Sequence, residues 1–509
     1  MKMAKISSEI SESLREYLIL TDWIKSKPEQ VSLEAKLGPM VLQYPYMTAR
    51  MQCVVGPKMA VAAGRLGILT IVPRSLRDQD KQAILDANNN ARLSKGDVEF
   101  VENPITAKPD DTLESVVQKV ERIGHSVIPI VDRKSRLYGV YVHDPDHPPS
   151  VPPNTSTTEV MLPLRKQGTK KGIHYVLSEN ERKIKRILAE EEKNFLAIVD
   201  RNMVLQKIAF LQKFNTNYIG IAISTRDDWE EELERWGPQV DTLTIDSSNA
   251  CFDDAIKILK AAKKRFPDKP FGIGNIIQGK HFKIFAKEGA DYIIGGMGVG
   301  SICQTGSERG NGRGQFTVAK ELAEARDEYF KESGIYVPFV LDGGIGNRKD
   351  MAVGLAWADF IMMGNYFNRF YEAAARKLNE DEEPTKEENL IRYVETWGEG
   401  HPRARLVAMF GMNFEEALRN PSPEDVSRVL DRYGHSSISS ATVEGVAGTT
   451  KYRGRLKPCV ETDARYIKTT ISNTGASNLR EFRNMAVLEK ASPETIRDMY
   501  PHDIEVKEK

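Results

Sequence analysis

The sequence has no excess of charge of either sign. It carries 72 lysine and arginine residues against 72 aspartate and glutamate residues, so its formal net charge is zero. Without a field of one sign, the chain is not suited to bind nucleic acid or an anionic membrane by general electrostatics. No stretch approaches the roughly 20 apolar residues of a membrane-spanning helix, and the opening residues MKMAKISSEISESL lack the apolar segment of a secretory signal. We therefore expect a cytoplasmic protein.

Cysteine is also scarce. The 509 residues include four cysteines, which lie far apart and form no Cys-x-x-Cys pair: Cys53, Cys251, Cys303 and Cys459. This spacing excludes a disulfide framework and the usual zinc-binding patterns. It is typical of a protein that works in a reducing compartment.

Short β-branched runs, each followed by a helical pattern, recur along the chain. Because the runs are apolar on both faces, they favour strands of a parallel sheet that is buried under helices. Eight such units predict an α/β fold, the (β/α)8 TIM barrel, whose chemistry lies at the carboxyl ends of its strands. The predicted strands are residues 39–46, 66–72, 217–224, 241–248, 269–275, 290–296, 337–344 and 358–365.

About 145 residues separate the second and third predicted strands, far more than a βα connection needs, so a separate domain is predicted there. It contains a weak internal repeat, 98–142 and 172–214, in which each copy reads strand, helix, a strand ending in Val-Asp-Arg, then strand. The linker HDPDHPPSVPPNTSTT between the copies continues neither helix nor sheet. This order resembles a tandem pair of cystathionine-β-synthase (CBS) domains. The predicted organisation is thus barrel (1–96), CBS pair (97–214) and barrel (215–509).

A glycine-rich segment, predicted as a catalytic loop at 295–315, follows the sixth strand. Its glycines are too dense for a helix, so the backbone must turn tightly and expose its amides and carbonyls. Ser301 and Cys303 lie where amides could hold a phosphate while a thiolate attacks an electrophilic carbon. A single cysteine is usually a small core residue, but a core residue does not need such a loop at the catalytic end of a strand.

The loops after the seventh and eighth strands point to a nucleotide. These loops form the usual phosphate site of the fold. Carboxylates at strand ends could accept hydrogen bonds from ribose hydroxyls, and glycine amides could donate to phosphate oxygens. The candidates are Asp342, Gly343, Gly344, Gly364 and Asn365, with Asp246 for a second ribose. Each aspartate taken alone could equally be a helix N-cap.

The motifs together resemble the IMP dehydrogenase/GMP reductase family, from about residue 15 to the C-terminus. They are GSICQT with the trailing GRGQ, GIYVPFVLDGGI, WGEGHPRAR at 397–405, and Pro501 to Ile504. The resemblance implies that Cys303 attacks C2 of IMP, that hydride passes to NAD, and that the thioimidate is hydrolysed to XMP. It also implies that Thr305 and a mobile flap at 396–450 activate the water.

The family's ligand contacts carry over to matching positions of this chain. IMP would meet Thr48, Met51, Ser301, Asp342, Gly343, Gly344, Gly364 and Asn365, with Glu399 near the purine. NAD would meet Arg226, Asp246, Ser247, Ser248 and Asn275. A monovalent cation, K⁺, would lie on carbonyls of Gly298, Gly300 and Cys303, completed by Asp498, Met499 and Tyr500 of the partner subunit. The resemblance also implies a homotetramer, and it leaves the effector of the CBS pair open.

Several positions depart from the family's pattern. Gln304 and Gly306 stand where a threonine and an arginine are usual, Thr396 replaces a phosphate-binding tyrosine, and Arg50 places a cation at the barrel mouth.

The water-activating Arg-Tyr pair has two alignments. Without an insertion in the flap it falls on Met409 and Phe410, which cannot act as a base. With about two dozen inserted residues it falls on Arg432 and Tyr433, at a distance from Glu444 that suits the family. We favour the second alignment, because FEEALRNPSPEDVSRVL reads as an added helix pair.

Three functions remain open from the sequence. The first is NAD-dependent IMP dehydrogenase, the second is NADPH-dependent GMP reductase, and the third is a nucleotide-binding regulator without turnover. The CBS insertion and the Arg432-Tyr433 pair favour the first.

Overall fold

A computed structural model describes most of the chain. The described residues are 7, 10–123, 127–143, 149–164, 175–177, 180–190, 195–226, 228–412 and 445–501. The chain divides into two compact units. One consists of 1–91, 217–453 and 462–509, and the other of 92–216 with 454–461.

The first unit is built on an eight-stranded parallel barrel, which confirms the predicted fold. Its strands, in chain order, are β1 (Tyr46–Thr48), β2 (Thr70–Val72), β3 (Ile219–Ile223), β4 (Thr242–Asp246), β5 (Phe271–Ile276), β6 (Tyr292–Gly295), β7 (Phe339–Asp342) and β8 (Phe360–Met363). From β2 to β8 each strand pairs in parallel with the next, and β8 pairs with β1. A bridge between Met47 and Leu69 joins β1 to β2 and closes the ring.

The barrel interior is a packed core that also contains buried hydroxyl groups. Tyr292 is fully buried, and its hydroxyl lies 2.6 Å from Thr244 Oγ1 and 3.1 Å from Thr242 Oγ1. Its ring fills the space beside Gly272, where a Cβ atom would lie 2.1 Å from a ring carbon. A glycine on β5 is therefore what admits the tyrosine from β6.

Helices surround the barrel, as the pattern after each strand predicts. They are α1 (Pro57–Arg65), α2 (Asp78–Asn90), α3 (Trp229–Trp236), α4 (Asp253–Arg265), α5 (Gly279–Lys287), α6 (Gln315–Ser333), α7 (Arg348–Leu355) and α8 (Leu456–Asn473). Further helices are Thr305–Arg309, Asn365–Asn368, Pro402–Phe410, Leu479–Met485 and Pro493–Asp498, with 3-10 turns at Leu14–Glu16, Pro28–Gln30, Gly237–Gln239 and Glu388–Leu390.

Three smaller sheets belong to the same unit. Tyr17–Ile19 pairs with Leu488–Lys490. Tyr393–Trp397 is the middle strand between Lys377–Leu378 and Ala447–Lys451.

The third of these sheets corrects the position of the first predicted strand. Residues Met40–Leu42 do not enter the barrel but pair antiparallel with Ala35–Leu37. The side chains of Leu37, Met40 and Leu42 are buried within the barrel's core cluster. The apolar run at 39–46 therefore serves two elements, and the barrel strand begins only at Tyr46, after Pro45.

The second unit contains two sheets. In one, the strands run in the order Tyr175–Val176, Phe195–Val199, Leu205–Leu211 and Val98–Val101; in the other, Val127–Val131, Leu137–Val142 and Leu162–Pro163. Its helices are Leu113–Ile123, Thr157–Val160 and Glu181–Glu190. The strand at 98–101, from the first repeat, thus pairs with the last strand of the second repeat.

The two ends of this unit are hydrogen-bonded to each other. Gly96 N–H donates to Gln212 O at 2.8 Å, and Gln212 N–H donates to Asp97 O at 2.9 Å. The insertion therefore enters and leaves at one place. Among the described residues of the whole chain, no helix is long and apolar enough to cross a membrane.

Candidate active site

The loop between β6 and α6 presents Cys303 at the carboxyl end of the barrel. Left-handed glycines, including Gly296 and Gly298, turn the backbone there. Cys303 N–H donates to Gly300 O at 3.1 Å and its thiol donates to Thr305 Oγ1 at 3.3 Å. Cys303 is exposed. A nucleophile and a hydroxyl that can exchange protons with it are therefore adjacent and open to a ligand.

Glycines hold this loop against the end of β7. A Cβ on Gly296 would lie 2.0 Å from Asp342 O, and Gln315 Nε2 donates to the same carbonyl at 2.8 Å. Gly343 and Gly344 both have positive φ, and ideal Cβ positions there lie within 4 Å of Gly300 and Val299 respectively. The loop that carries Ser301 and Cys303 therefore packs directly on the glycine turn after β7.

The turn after β8 packs against the turn after β1. Ala49 N–H donates to Met363 O at 3.0 Å, and a Cβ on Gly364 would lie 2.6 Å from Met51 Sδ. The short helix Asn365–Asn368 begins at this contact. Three of the predicted IMP-contacting residues, Met51, Gly364 and Asn365, are thereby assembled at one end of the barrel.

Thr48 is not brought into the open part of this site. Its side chain is fully buried, and its hydroxyl accepts a hydrogen bond from Ile71 N–H at 3.2 Å. The hydroxyl joins β1 to β2 within the barrel wall.

A charged cluster lies at the barrel mouth. Arg50 Nη2 donates to Asn275 Oδ1 at 2.7 Å and to Asp342 Oδ2 at 3.1 Å, and its Nη1 lies 3.0 Å from Asp246 Oδ1. Asn275 Nδ2 also donates to Asp342 Oδ2 at 3.0 Å. Burial raises the pKa of Asp342, and Arg50 opposes that rise. The residues predicted to meet two different riboses are thus joined by one guanidinium.

Glu399 lies beside this cluster, where the strand Tyr393–Trp397 leads into the helix Pro402–Phe410. Ser75 Oγ donates a short hydrogen bond to Glu399 Oε2, and Gln52 N–H donates to Oε1 at 2.7 Å. Glu399 reaches the open end of the site. The protein atoms around its carboxyl nevertheless raise its pKa to about 7, although the two hydrogen bonds lower it.

The raised pKa of Glu399 predicts a pH dependence of stability. The folded state holds the Glu399 proton more tightly than the unfolded chain, whose glutamates titrate at about 4.3. Stability should therefore fall as the pH rises from about 5 through 7 and change little above that. Glu399→Gln cannot ionise, so its melting temperature should fall less between pH 5 and pH 8 than that of the wild type. A pH series of thermal melts measures this.

The matched control is Glu324→Gln, which changes an exposed glutamate on α6. It should keep the wild-type difference between the two pH values. An identical pH profile for Glu399→Gln and the wild type would show that Glu399 ionises as freely in the folded protein as in the unfolded chain.

A cavity of about 450 Å³ lies between the ends of β4 and β5 and the Cys303 loop. Thr305, Arg309 and Gly310 to Gly312 line one side, and Ser248 is the predicted cofactor contact that lines the other. Five lining residues outside the catalytic loop were not predicted from the sequence: Asn249, Cys251, Ile277, Gln278 and His281. Burial and the nearby Lys280 lower the pKa of His281, against Glu321, which raises it. The segment DSSN, whose last residue is Asn249, could have indicated the first of these residues.

The other predicted cofactor contacts have local roles in the structure. Ser247 Oγ donates to Asn249 O at 2.9 Å, and Arg226 N–H donates to Ser224 Oγ at 3.0 Å. Neither side chain is among those that line the cavity.

The residues predicted to share a cation fall in two places. Gly298, Gly300 and Cys303 lie together in the catalytic loop, whereas Asp498, Met499 and Tyr500 lie at the exposed end of the helix Pro493–Asp498. Within the described residues, no cluster of three or more His, Cys, Asp or Glu side chains could hold a metal ion. Any cation at this loop would therefore depend on backbone carbonyls.

The predicted flap is described at its two ends only. Arg432, Tyr433 and Glu444 lie outside the described residues. Thr396 is buried on the strand Tyr393–Trp397, and Met409 is buried in the helix Pro402–Phe410, whose last carbonyl accepts a hydrogen bond from Arg77. The chain returns at 445, where Val446 N–H donates to Ile302 O at 3.2 Å. The returning end therefore contacts the residue next to Cys303.

Comparisons with known proteins agree with this geometry. A family model described as IMP dehydrogenase / GMP reductase domain matches residues 12–502. The inosine-5'-monophosphate dehydrogenase of Tritrichomonas foetus is 30% identical over 543 aligned residues, which cover 100% of this chain and 99% of that protein. The enzyme of the same name from Aquifex aeolicus is 23% identical, and the alignment covers 99% of this chain and 98% of that protein.

Solved structures support the fold. A GMP reductase variant from Trypanosoma brucei in complex with guanosine 5'-monophosphate superimposes with a TM-score of 0.64 at 18% identity, covering 98% of this chain and 99% of that one. At this identity the likeness concerns the fold alone.

Proposed function

Since the chain belongs to the IMP dehydrogenase/GMP reductase family, we propose that it oxidises IMP to XMP with NAD, through a covalent intermediate on Cys303. The carrying observation is the contact between the Cys303 loop and the glycine turn after Asp342. A nucleotide whose ribose binds Asp342 and whose phosphate binds the glycine amides would have its base beside the thiol. The product belongs to guanine nucleotide synthesis.

The first half-reaction makes a bond to Cys303. The thiol proton leaves, with Thr305 Oγ1 as its hydrogen-bonded neighbour, and the sulfur then attacks C2 of IMP. Hydride leaves C2 and the thioimidate remains on Cys303. NAD supplies the hydride acceptor for this step, and the residues that fit it are Asp246, Ser248 and Asn275 with the cavity beside them. Asp342 and Asn275 fix the ribose side of the site.

The second half-reaction hydrolyses the thioimidate. A water must lose a proton as it attacks C2, after which the C–S bond breaks and Cys303 regains its proton. We assign this activation to Thr305, Arg432 and Tyr433, with Glu444 as their partner. The contact of Val446 with Ile302 supports the assignment, because it brings the returning end of the flap to the catalytic loop.

The assignment of Arg432 predicts a separation of the two half-reactions. Arg432→Ala should give a rapid first burst of NADH and then stall, because the lost group acts only on the water. Stopped-flow absorbance and mass spectrometry of the protein should show the nucleotide adduct accumulating on Cys303. The control is Met409→Ala, which changes the buried residue that the alignment without an insertion would assign to this role. It should keep steady turnover. Steady turnover by Arg432→Ala would mean that another group activates the water.

Two further features follow the family. Carbonyls of Gly298, Gly300 and Cys303 would hold K⁺, with Asp498, Met499 and Tyr500 of the partner subunit, since carbonyl oxygens suit a hard monovalent cation. We also propose that the active form is a homotetramer and that the inserted unit is a CBS pair.

The deciding experiment compares the two enzymes of the family. The protein is incubated with IMP plus NAD, and separately with GMP plus NADPH, while nicotinamide absorbance is recorded. A rise in the first mixture alone supports the dehydrogenase, and a fall in the second alone supports the reductase. No change in either, with nucleotide still bound, would leave the chain a nucleotide-binding regulator.

A further inference from the structure

Arg50 occupies an unusual place in the charged cluster of the barrel mouth. Its side chain is only 7% exposed, and its guanidinium contacts side chains from the ends of three strands: Asp246 of β4, Asn275 of β5 and Asp342 of β7. A guanidinium stays protonated at any working pH. The site therefore contains a fixed positive charge that no ligand brings.

This charge alters the electrostatic balance of the mouth. Asp246 and Asp342 are two carboxylates, and Arg74 Nε also approaches Asp246 Oδ2, at 3.5 Å. With Arg50 and Arg74 present, these four side chains sum to zero charge. Without Arg50 they would sum to one negative charge.

The ion pair with Arg50 still leaves the carboxylate of Asp342 able to accept a hydrogen bond from a ligand. The hydrogen bonds from Arg50 and Asn275 both reach Oδ2. Among the described residues this leaves Oδ1 available to a ribose hydroxyl. Arg50 can therefore remain in place while a nucleotide is bound.

Under the proposed function, on which this inference rests, Asp342 holds the nucleotide's ribose and Asp246 holds a ribose of the dinucleotide. Because one guanidinium touches both carboxylates, it lies between the two sugar sites. In that arrangement the nicotinamide ring would have to approach this region to meet the nucleotide. The oxidised ring carries one positive charge and the reduced ring carries none, so only the oxidised form is repelled.

We propose that Arg50 is a specificity-determining residue that weakens binding of the oxidised nicotinamide dinucleotide relative to the reduced one. A unit charge at about 10 Å, with an effective dielectric constant of about 20, is enough for roughly a tenfold difference in affinity. The pyrophosphate and adenosine are common to both forms, so their contributions cancel in the ratio of the two dissociation constants.

The test measures dissociation constants rather than turnover. Full-length Cys303→Ala protein saturated with IMP is titrated calorimetrically with NAD and with NADH, because this background cannot react. The pH is 8.5, because burial raises the pKa of Asp342 and a high pH favours its ionised form. Adding Arg50→Met should lower the ratio of the NAD constant to the NADH constant by about tenfold, whereas Arg50→Lys, which keeps the charge, should change it less than threefold.

The controls separate the possible failures. Arg265→Met removes an exposed arginine paired with Glu234 and should leave the ratio unchanged. Should Arg50→Met fail to fold in a thermal melt, Arg50→Gln, which removes the charge but keeps a hydrogen-bond donor, takes its place. An unchanged ratio with both dinucleotides bound overturns the role of Arg50 and leaves the proposed function standing. Binding of IMP without either dinucleotide overturns both.

Discussion

Replacing Cys303 by alanine should lower turnover by roughly 10⁴-fold or more, while the affinity for IMP stays within about threefold of the wild-type value. The reason is that the thiol forms the reacting bond, whereas the proposed ribose and phosphate contacts come from Asp342 and the glycine turns at 343–344 and 364. Steady-state kinetics and equilibrium titration with IMP measure the two quantities separately.

A matched control is available within the same part of the barrel. Cys251 lines the neighbouring cavity and is partly exposed, but burial raises the pKa of its thiol. Cys251→Ala should therefore retain turnover. In the wild type, IMP should protect Cys303 from iodoacetamide. Labelling of Cys303 that proceeds equally fast in saturating IMP would remove this cysteine from the mechanism.

Gly296→Ala should disrupt both stability and catalysis. Its φ of 137° is one that residues with a Cβ rarely adopt, and the added methyl would lie 2.0 Å from the carbonyl oxygen of Asp342. Either the Cys303 loop or the end of β7 must then move. Backbone strain together with overpacking should cost about 3 kcal/mol or more. A denaturant titration measures the loss, and IMP affinity should fall with it.

The control for this substitution is Gly346→Ala. No atom lies within 4 Å of a Cβ at Gly346, and its φ is not in the left-handed region. The free energy of unfolding should therefore stay within about 0.5 kcal/mol of the wild type. Equal stability of Gly296→Ala and Gly346→Ala would show that the two strand ends are less closely packed than the structure has them.

The strands of the barrel were largely predictable because their residues are apolar on both faces. Seven of the eight predicted runs contain a barrel strand at the expected place. The first run misled because periodicity cannot show where one apolar segment changes partner: residues 40–42 pair with 35–37, and only the residues after Pro45 join the barrel.

The parts of the candidate site that are formed by glycine-rich turns, as around Gly296 and Gly344, could be predicted from the sequence. The site was not predictable where side chains from distant segments meet. The sequence places a cation at position 50 but does not show that Arg50 reaches three strand ends. Nor does it show that Thr48 directs its hydroxyl into the barrel wall. Such contacts depend on the register of neighbouring strands, which a single sequence leaves open.

The closure of the ring has a consequence for how the protein forms during synthesis. Thr48 of β1 pairs with Met363 of β8, and a ribosome adding about 5–20 residues per second makes the second strand some 15–60 s after the first. Until β8 is made, β1 lacks that neighbour, and β2 lacks its neighbour β3 until the inserted unit has been made. The apolar edges of these two strands therefore stay unpaired during part of synthesis, when chaperones can protect them.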